Sequence, residues 1–232
     1  MSGIHYYLLS ALPGLGELGS IPPISRQGMF QMASASATIT KLLEILFLGD
    51  DLVQRQAFLA GQISDLDLVI LSTAQARGDQ PLPVFLTADS PDAARRIFED
   101  QIWSAYYYWA AQRAKKNNSS FLSRWIAQEV ALRNALVLAR AKSLDLDPTG
   151  YQIAPDLADP DQDFNSLLSE WAQAGNPLQG ERILDGQRWK WLKEHESWFR
   201  FNNNEVLAYA AQLMILIRWH RLQKTEIQEN TV

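Results

Sequence analysis

The longest run of helical apolar spacing in the chain lies between Phe121 and Leu146, with the sequence FLSRWIAQEVALRNALVLARAKSLDL. At a four-residue step this segment has an alanine stripe, a mostly aliphatic stripe and a third stripe that includes Glu129 and Arg133. Residues four apart lie on the same side of an α-helix, and a helix that is apolar on most sides is normally buried. The pattern therefore predicts a long, buried, central helix.

The charged residues of this predicted helix need partners if the helix is buried. Glu129 precedes Arg133 by four residues, which is the favourable order for an ion pair on a helix, and Arg140 follows two turns later. A buried charge that is not paired and hydrogen-bonded is strongly unfavourable. We therefore expect a structural ion network that fixes how neighbouring helices meet. A proton relay or an anion site is the functional alternative, but no nucleophile and base accompany these residues.

Two shorter helices are predicted before this segment. Residues 30–47 carry apolar side chains at helical spacing, and Gly49 offers a plausible end to that helix. Asp50 or Asp51 then has the right chemistry to cap a second helix over residues 52–61. The glycine and the two aspartates thus suggest a break between two separate helices.

Two stretches leave more than one interpretation open, and a third marks a break. The apolar run Tyr6–Leu12 suits either a short strand or a short helix. The run 65–71 (DLDLVIL) suits a strand, or the middle of a helix that continues to Arg77. The stretch 78–83 (GDQPLP) is the clearest break in the pattern. We therefore predict a single helical domain over residues 1–232, with a lobe boundary near residues 78–90.

A second long helix is predicted from Ser90 to about Lys116, with Ser90 as its N-cap and Pro91 at its first position. Its middle is unusually aromatic. We expect these side chains to serve mainly in core and interface packing. The alternatives are a platform for a sugar or a base and an exposed groove for a peptide, with Trp103, Tyr107 and Trp109 as the interaction surface.

The connector after the central helix contains carboxylates at calcium-loop spacing, from Asp159 to Glu170. However, Phe164 occupies the position where the sharp turn of such a loop requires glycine. We therefore expect Asp163 to cap a helix over residues 164–174, and we predict no metal site.

The remaining chain predicts helices over residues 187–198 and from Asn202 onward, with Asn202 as the cap of the last helix. The three histidines, His5, His195 and His220, share no ligand spacing. We expect them to be structural residues.

Composition narrows the class of protein. The 232 residues are 47% hydrophobic and 20% charged, contain no cysteine, and carry a formal net charge of −5. This acidic balance argues against a nucleic-acid-binding protein. The N-terminus lacks the basic segment of a signal peptide, and no apolar run reaches the length of a membrane span. We predict a cytoplasmic protein without cofactors and without catalytic residues.

The segment EVALRNALVLARAKSLDL resembles the signature helix of the spacer subunit of V/A-type rotary ATPases, which is the C-type subunit in prokaryotes and the d-type subunit in eukaryotes. The matching positions are Glu129, Asn134, Arg140 and Lys142. The N-terminal YYLLSALPGL followed by PPIS, and the late LAYAAQLMILIRW, are more specifically similar to an uncharacterised bacterial family that is encoded beside V/A-type ATPase subunits and is related to this spacer subunit.

This resemblance implies an all-α protein of packed helical bundles that acts by docking. It implies a non-catalytic subunit or assembly protein that sits between the central stalk and the proteolipid ring, peripheral to the inner face of the membrane through its partners. The polar network of the central helix would then comprise Glu129, Arg133, Asn134, Arg140 and Lys142. A helical peptide-binding module that uses residues 98–109 is the alternative, and a helical enzyme is less favoured.

Overall fold

A computed structural model describes residues 3–87, 97–196 and 200–229, and within these ranges it gives side-chain surroundings for residues 5–87, 97–196 and 200–223. The described residues form α-helices and two short 3-10 turns, and they contain no strand. The prediction of an all-α protein is therefore confirmed. The open question at the N-terminus is settled in favour of a helix. The elements are α1 (Gly3–Ala11), α2 (Arg26–Ala33), α3 (Ala37–Leu59), α4 (Thr73–Arg77), α5 (Val84–Thr87), α6 (Phe98–Lys116), α7 (Ser120–Ser143), the 3-10 turns Pro148–Gly150 and Pro155–Leu157, α8 (Asn165–Ala172), α9 (Pro177–His195) and α10 (Asn203–Glu229).

The chain divides into two compact units. The middle unit is Leu48–Leu168, and the terminal unit combines Met1–Phe47 with Ser169–Val232. The predicted lobe boundary at 78–90 stays a prediction, because residues 88–90 lie outside the described part of the chain. None of the helices in the described ranges combines the length and the apolar character that crossing a membrane requires.

In the middle unit, α3 does not end at Gly49 but continues to Leu59. The glycine is needed because the Tyr106 side chain packs closely against it, and not because a helix ends there. A Cβ atom at this position would lie 2.9 Å from Cζ of Tyr106 and closer still to its hydroxyl oxygen, so α6 packs against the bare backbone of α3. The predicted break between two helices at Gly49, Asp50 and Asp51 is therefore wrong, and neither aspartate begins a helix.

Asp51 and Gln54 instead hold the chain that follows α3. The Asp51 carboxylate is fully buried, and its Oδ2 accepts hydrogen bonds from the backbone N–H groups of Val69 (3.1 Å), Ile70 (2.7 Å) and Leu71 (2.9 Å). The Gln54 amide donates to the carbonyl oxygen of Asp67 and accepts from its N–H, at 2.9 and 3.0 Å. Neither interpretation of the run 65–71 is correct, since these residues form no strand and no helix. Hydrogen bonds from α3 side chains replace a regular backbone ladder.

Helix α6 is described from Phe98, so the predicted cap at Ser90 and Pro91 lies outside the described residues. Three of its aromatic side chains, Trp103, Tyr106 and Tyr107, pack in the core of the middle unit. Trp103 and Tyr107 are each only 4% exposed. Trp109 is half-buried and stacks on Phe85 of α5, with ring centroids 4.5 Å apart.

In the terminal unit, α9 begins ten residues earlier than predicted. Asn176 and Pro177 look like the end of the preceding helix in the sequence, but they start α9. The Asn176 side chain accepts from the N–H of Gln179 at 2.8 Å, and Pro177 occupies the first helical position, where its missing N–H costs nothing. Asn202 caps α10 as predicted, with its Oδ1 accepting from the N–H of Glu205 at 3.1 Å.

A buried carboxylate also joins the two longest helices of the terminal unit. Asp185 of α9 is fully buried and accepts from Nε of Arg218 of α10 at 2.9 Å, while Nη2 of the same arginine bonds the second oxygen. Arg188 donates to Asp185 from one turn along α9, at 3.2 Å. Two guanidinium groups thus neutralise a charge that would be very costly alone.

The close approach at Gly49 gives a test of the middle unit. Gly49→Ala is expected to lower the free energy of unfolding by about 1–2 kcal/mol, because the new methyl group displaces Tyr106. The matched control is Gly186→Ala in α9, where a Cβ meets nothing within 4 Å. That change should be neutral or stabilising by about 0.5–1 kcal/mol, since alanine is the better helix former.

Urea unfolding of the two variants measures both effects. Adding Tyr106→Phe to Gly49→Ala should cost less than the sum of the two single changes, because the phenylalanine lacks the clashing hydroxyl. Equal effects of the two glycine substitutions would show that the contact at Gly49 is not tight.

Candidate functional site

The polar residues singled out on α7 lie in different surroundings along the helix. Glu129 and Arg133 are half-buried, Asn134 is buried, and Arg140 and Lys142 are exposed. The sequence predicts a buried helix, but in the structure α7 is buried along only part of its length. Its first turns face the core, and its last turns reach the surface.

A polar cluster lies where α3, α6 and α7 meet in the middle unit. Tyr106 is buried at its centre, and Asp50, Tyr107 and Glu129 are close enough to act on its hydroxyl electrostatically. Burial raises the pKa of the Tyr106 phenol well above its ordinary value, and the neighbouring Tyr107, Glu129 and Asp50 raise it further. The phenol therefore stays protonated at any physiological pH, as a neutral hydrogen-bonding group and not as a base.

Arg133 is placed by an aromatic ring of the same unit. Its guanidinium carbon lies 4.5 Å from the centroid of the Trp103 ring, which suits a cation–π interaction. The Trp103 indole N–H donates to Oε1 of Gln56 at 3.1 Å, so the ring is itself held by α3. This contact ties α7 to α6 and α6 to α3, and it makes Arg133 part of the packing.

Asn134 connects α7 to the 3-10 turns that follow it. Its amide donates to the carbonyl oxygen of Ile153 at 2.9 Å and accepts from the N–H of Ile153 at 2.8 Å, and both residues are buried. The Asn134 amide thus gives the buried N–H and C=O groups of Ile153 the partners that a regular backbone ladder would supply. The role of this residue is to fix the path of the chain after α7.

Five exposed side chains lie at the end of α7 and just after it, and we call them together the α7-terminal patch: Leu138, Arg140, Lys142, Leu144 and Leu146. The three leucines are 44%, 66% and 47% exposed in that order. The N–H of Leu146 donates to the carbonyl oxygen of Ala141 at 2.9 Å, and Asp145 has a φ of +53°. This left-handed turn ends the helix in the manner of a Schellman motif and holds the last leucines in a defined position.

All three histidines of the sequence lie in the terminal unit, whereas Glu129 and Arg133 lie in the middle unit. His5 bonds Oδ1 of Asn203 at 2.7 Å, and His195 stacks on Trp191 with ring centroids 4.0 Å apart. That the three histidines are structural residues stays a prediction.

The carboxylates at calcium-loop spacing do not assemble into a site. Helix α8 begins at Asn165, and Asp163 accepts from the N–H of Asn165 at 2.9 Å, which places it at the start of the helix. Asp159 accepts from the N–H of Asp161 at 3.1 Å. Across the described residues, no group of three or more histidine, aspartate or glutamate side chains is arranged to hold a metal ion.

The raised Tyr106 pKa predicts how stability depends on alkaline pH. Above about pH 10 the unfolded chain loses its tyrosine protons while folded Tyr106 keeps its own, so the unfolded state is favoured and stability falls as pH rises. Tyr106→Phe removes this contribution and should flatten the decline of unfolding free energy from about pH 9 to about pH 11.

Urea unfolding at a series of pH values measures how steeply the unfolding free energy declines with pH. Comparing these slopes removes any change in stability that the substitution causes equally at every pH. Tyr7→Phe is the control, because Tyr7 is 76% exposed, and it should keep the wild-type slope. The same slope in wild type and Tyr106→Phe would contradict the position assigned to this phenol.

Comparison with known proteins gives one match. The model of a family described as "Protein of unknown function (DUF2764)" matches residues 50–230, which is more than half of the chain. No curated protein and no solved structure matches it. The matched range includes α6, α7 and the α7-terminal patch. The chain is therefore a member of the DUF2764 family.

Proposed function

We propose that this protein is a non-catalytic accessory or assembly subunit of a bacterial V/A-type rotary ATPase. In this role it docks, in the manner of the spacer subunit, between the central stalk and the proteolipid ring. The protein is cytoplasmic and reaches the inner face of the membrane through its partner subunits. The observation that carries the proposal is the α7-terminal patch, because it lies within the segment that resembles the spacer subunit.

The patch has the chemistry of a docking surface. Three leucine side chains that are about half exposed lose contact with water when a partner covers them, at about 25 cal/mol for each Å² buried. Arg140 and Lys142 add two exposed cations to the same end of the helix, on a chain whose net charge is −5. Such a surface fits a partner that has an apolar face bordered by carboxylates, and charge complementarity of this kind sets the orientation of docking.

The contacts of the buried half of α7 also support the proposed function, because they make the helix rigid. The contact of Arg133 with Trp103 and the hydrogen bonds of Asn134 with Ile153 hold the helix and the chain after it. A rigid helix can present its end without reordering when the partner arrives, which lowers the cost of binding. Transmission of force through a stalk needs this same stiffness.

The two alternatives have less support. A peptide groove built from residues 98–109 would need Trp103 and Tyr107 at the surface, but both are almost completely buried. An enzyme would need a catalytic group beside Glu129 and Arg133, and no histidine belongs to the same unit as these residues.

The test is affinity purification of the tagged protein from its own organism at native expression. Wild type should co-purify with rotary ATPase subunits. The double variant Leu138→Asp/Leu144→Asp should recover at least about tenfold less of them, because each carboxylate would be buried in the interface without a partner. Failure of wild type to retain any rotary ATPase subunit would contradict the proposed function.

The matched control is Leu59→Asp at the end of α3, whose side chain is as exposed as that of Leu146. This variant should co-purify with the same subunits as wild type. Melting temperatures of the variants within a few degrees of wild type would show that the fold is intact. Full recovery with the double variant would show that docking uses another surface.

A further inference from the structure

The terminal unit contains a cavity of about 420 Å³ that the docking function does not use. One wall, which we call the α1 wall, comes from α1 and the chain after it and includes Leu9, Leu12 and Leu15. Another part of the lining comes from α10 and includes Ala208 and Tyr209. A cavity of this volume is large enough to hold a small molecule.

Most of the lining that the described residues supply is apolar. Besides the leucines of the α1 wall it contains the rings of Tyr6 and Phe201, which contact each other at a centroid distance of 5.2 Å. Aromatic rings pack well against other flat rings and against aliphatic groups. An apolar ligand body would therefore leave water and gain contacts on several sides.

Two buried polar side chains of the lining already bind groups of the protein. The Tyr209 hydroxyl donates to the carbonyl oxygen of Pro13 at 2.7 Å, and burial raises the pKa of this phenol to about 12, so it stays neutral. Glu205 begins α10, and its Oε2 accepts from the N–H groups of Arg200 at 3.0 Å and Phe201 at 2.7 Å. These hydrogen bonds hold the chain around the cavity, so neither group needs a ligand as its partner.

The Gln212 amide is the polar group of the lining that can still serve a ligand. Its Nε2 donates to Oε2 of Glu196 at 2.7 Å, and the Lys193 ammonium lies 3.1 Å from the other oxygen of that carboxylate. A carboxylate accepts but does not donate, so the amide nitrogen and not the oxygen must face Glu196. Within the part of the chain that the structure describes, no residue donates to Oε1 of Gln212. This oxygen is therefore an acceptor in a mainly apolar cavity.

We propose that this cavity binds an uncharged, mainly apolar small molecule that carries one hydroxyl group. The apolar body would lie against the α1 wall and the aromatic rings, and the hydroxyl group would donate to Oε1 of Gln212. A charged ligand would lose its hydration beside carboxylates that already have protein partners, which makes its binding less favourable. The proposal does not rest on the docking function, because the cavity and the α7-terminal patch belong to different units.

The first test compares three probes of nearly equal size by titration calorimetry at neutral pH: naphthylmethanol, naphthylmethylamine and naphthoate. We expect saturable binding of the alcohol with a Kd of about 1 mM or tighter. The ammonium and the carboxylate probes should each bind at least about tenfold more weakly, because each has to lose the hydration of a charge. Absence of binding by the alcohol, or binding of the amine with the same or a lower Kd, would overturn the proposal.

A fourth probe tests the hydroxyl group. Methylnaphthalene has the same ring system but cannot donate a hydrogen bond. It should bind about three- to tenfold more weakly than the alcohol, because the net contribution of one hydrogen bond is lost. The same Kd for both probes would contradict the role assigned to Gln212.

Two variants test the place of binding. Leu9→Trp fills the α1 wall and should abolish binding of the alcohol, and the smaller change Leu12→Phe should weaken it at least about tenfold. The control is Ile21→Trp, at a position of the terminal unit that is 78% exposed and does not line the cavity, and it should keep the wild-type Kd.

Melting temperatures within a few degrees of wild type show which variants keep the fold. If Leu9→Trp does not fold, Leu12→Phe decides the test alone. Wild-type affinity in every folded variant of the α1 wall would show that the alcohol binds elsewhere.

Discussion

The middle unit depends on one buried carboxylate that holds an irregular segment of chain. Asp51 has no exposed surface, and its oxygens accept from three successive backbone N–H groups, those of Val69, Ile70 and Leu71. A buried charge without partners would cost several kcal/mol, which is a large part of the stability of a typical domain, whereas a carboxylate that accepts several N–H groups is strongly held. Because the segment has no ladder of its own, these hydrogen bonds are its main attachment to α3. Helix α4 begins two residues after Leu71, at Thr73.

The same arrangement recurs elsewhere in the chain. Asp185 joins α9 to α10 through Arg218, and Asn134 joins α7 to the turn at Ile153. In each case a polar side chain inside a unit satisfies groups that the local fold leaves without partners. The interior polar residues therefore act as braces, and the exposed side chains of the α7-terminal patch are the ones that we propose for recognition. This division assigns stability to the buried polar groups and recognition to the accessible ones.

The sequence predicts the helices better than the contacts between them. Periodicity and cap chemistry correctly indicate α7 and the start of α10 at Asn202, since both depend on residues only a few positions apart. Gly49 and Asp51 are misinterpreted for the opposite reason. In the sequence a glycine followed by two aspartates favours a helix end and a cap, but their true partners, Tyr106 and residues 69–71, are distant in the sequence. Asn134 is indicated only through the resemblance, because its partner, Ile153, lies 19 residues further along the chain.

The claim that buried carboxylates brace this fold is tested most directly by native-state hydrogen exchange at residues 69–71. If Asp51 holds this segment, the amides of Val69, Ile70 and Leu71 should exchange at least about 100-fold more slowly than the exposed amides of Ser64 and Asp65 in the same irregular segment. The protection should approach that of the neighbouring core amides of α3. Exchange of all five amides at similar, fast rates would contradict the account, because the segment would then be open to water and the carboxylate would not be holding it.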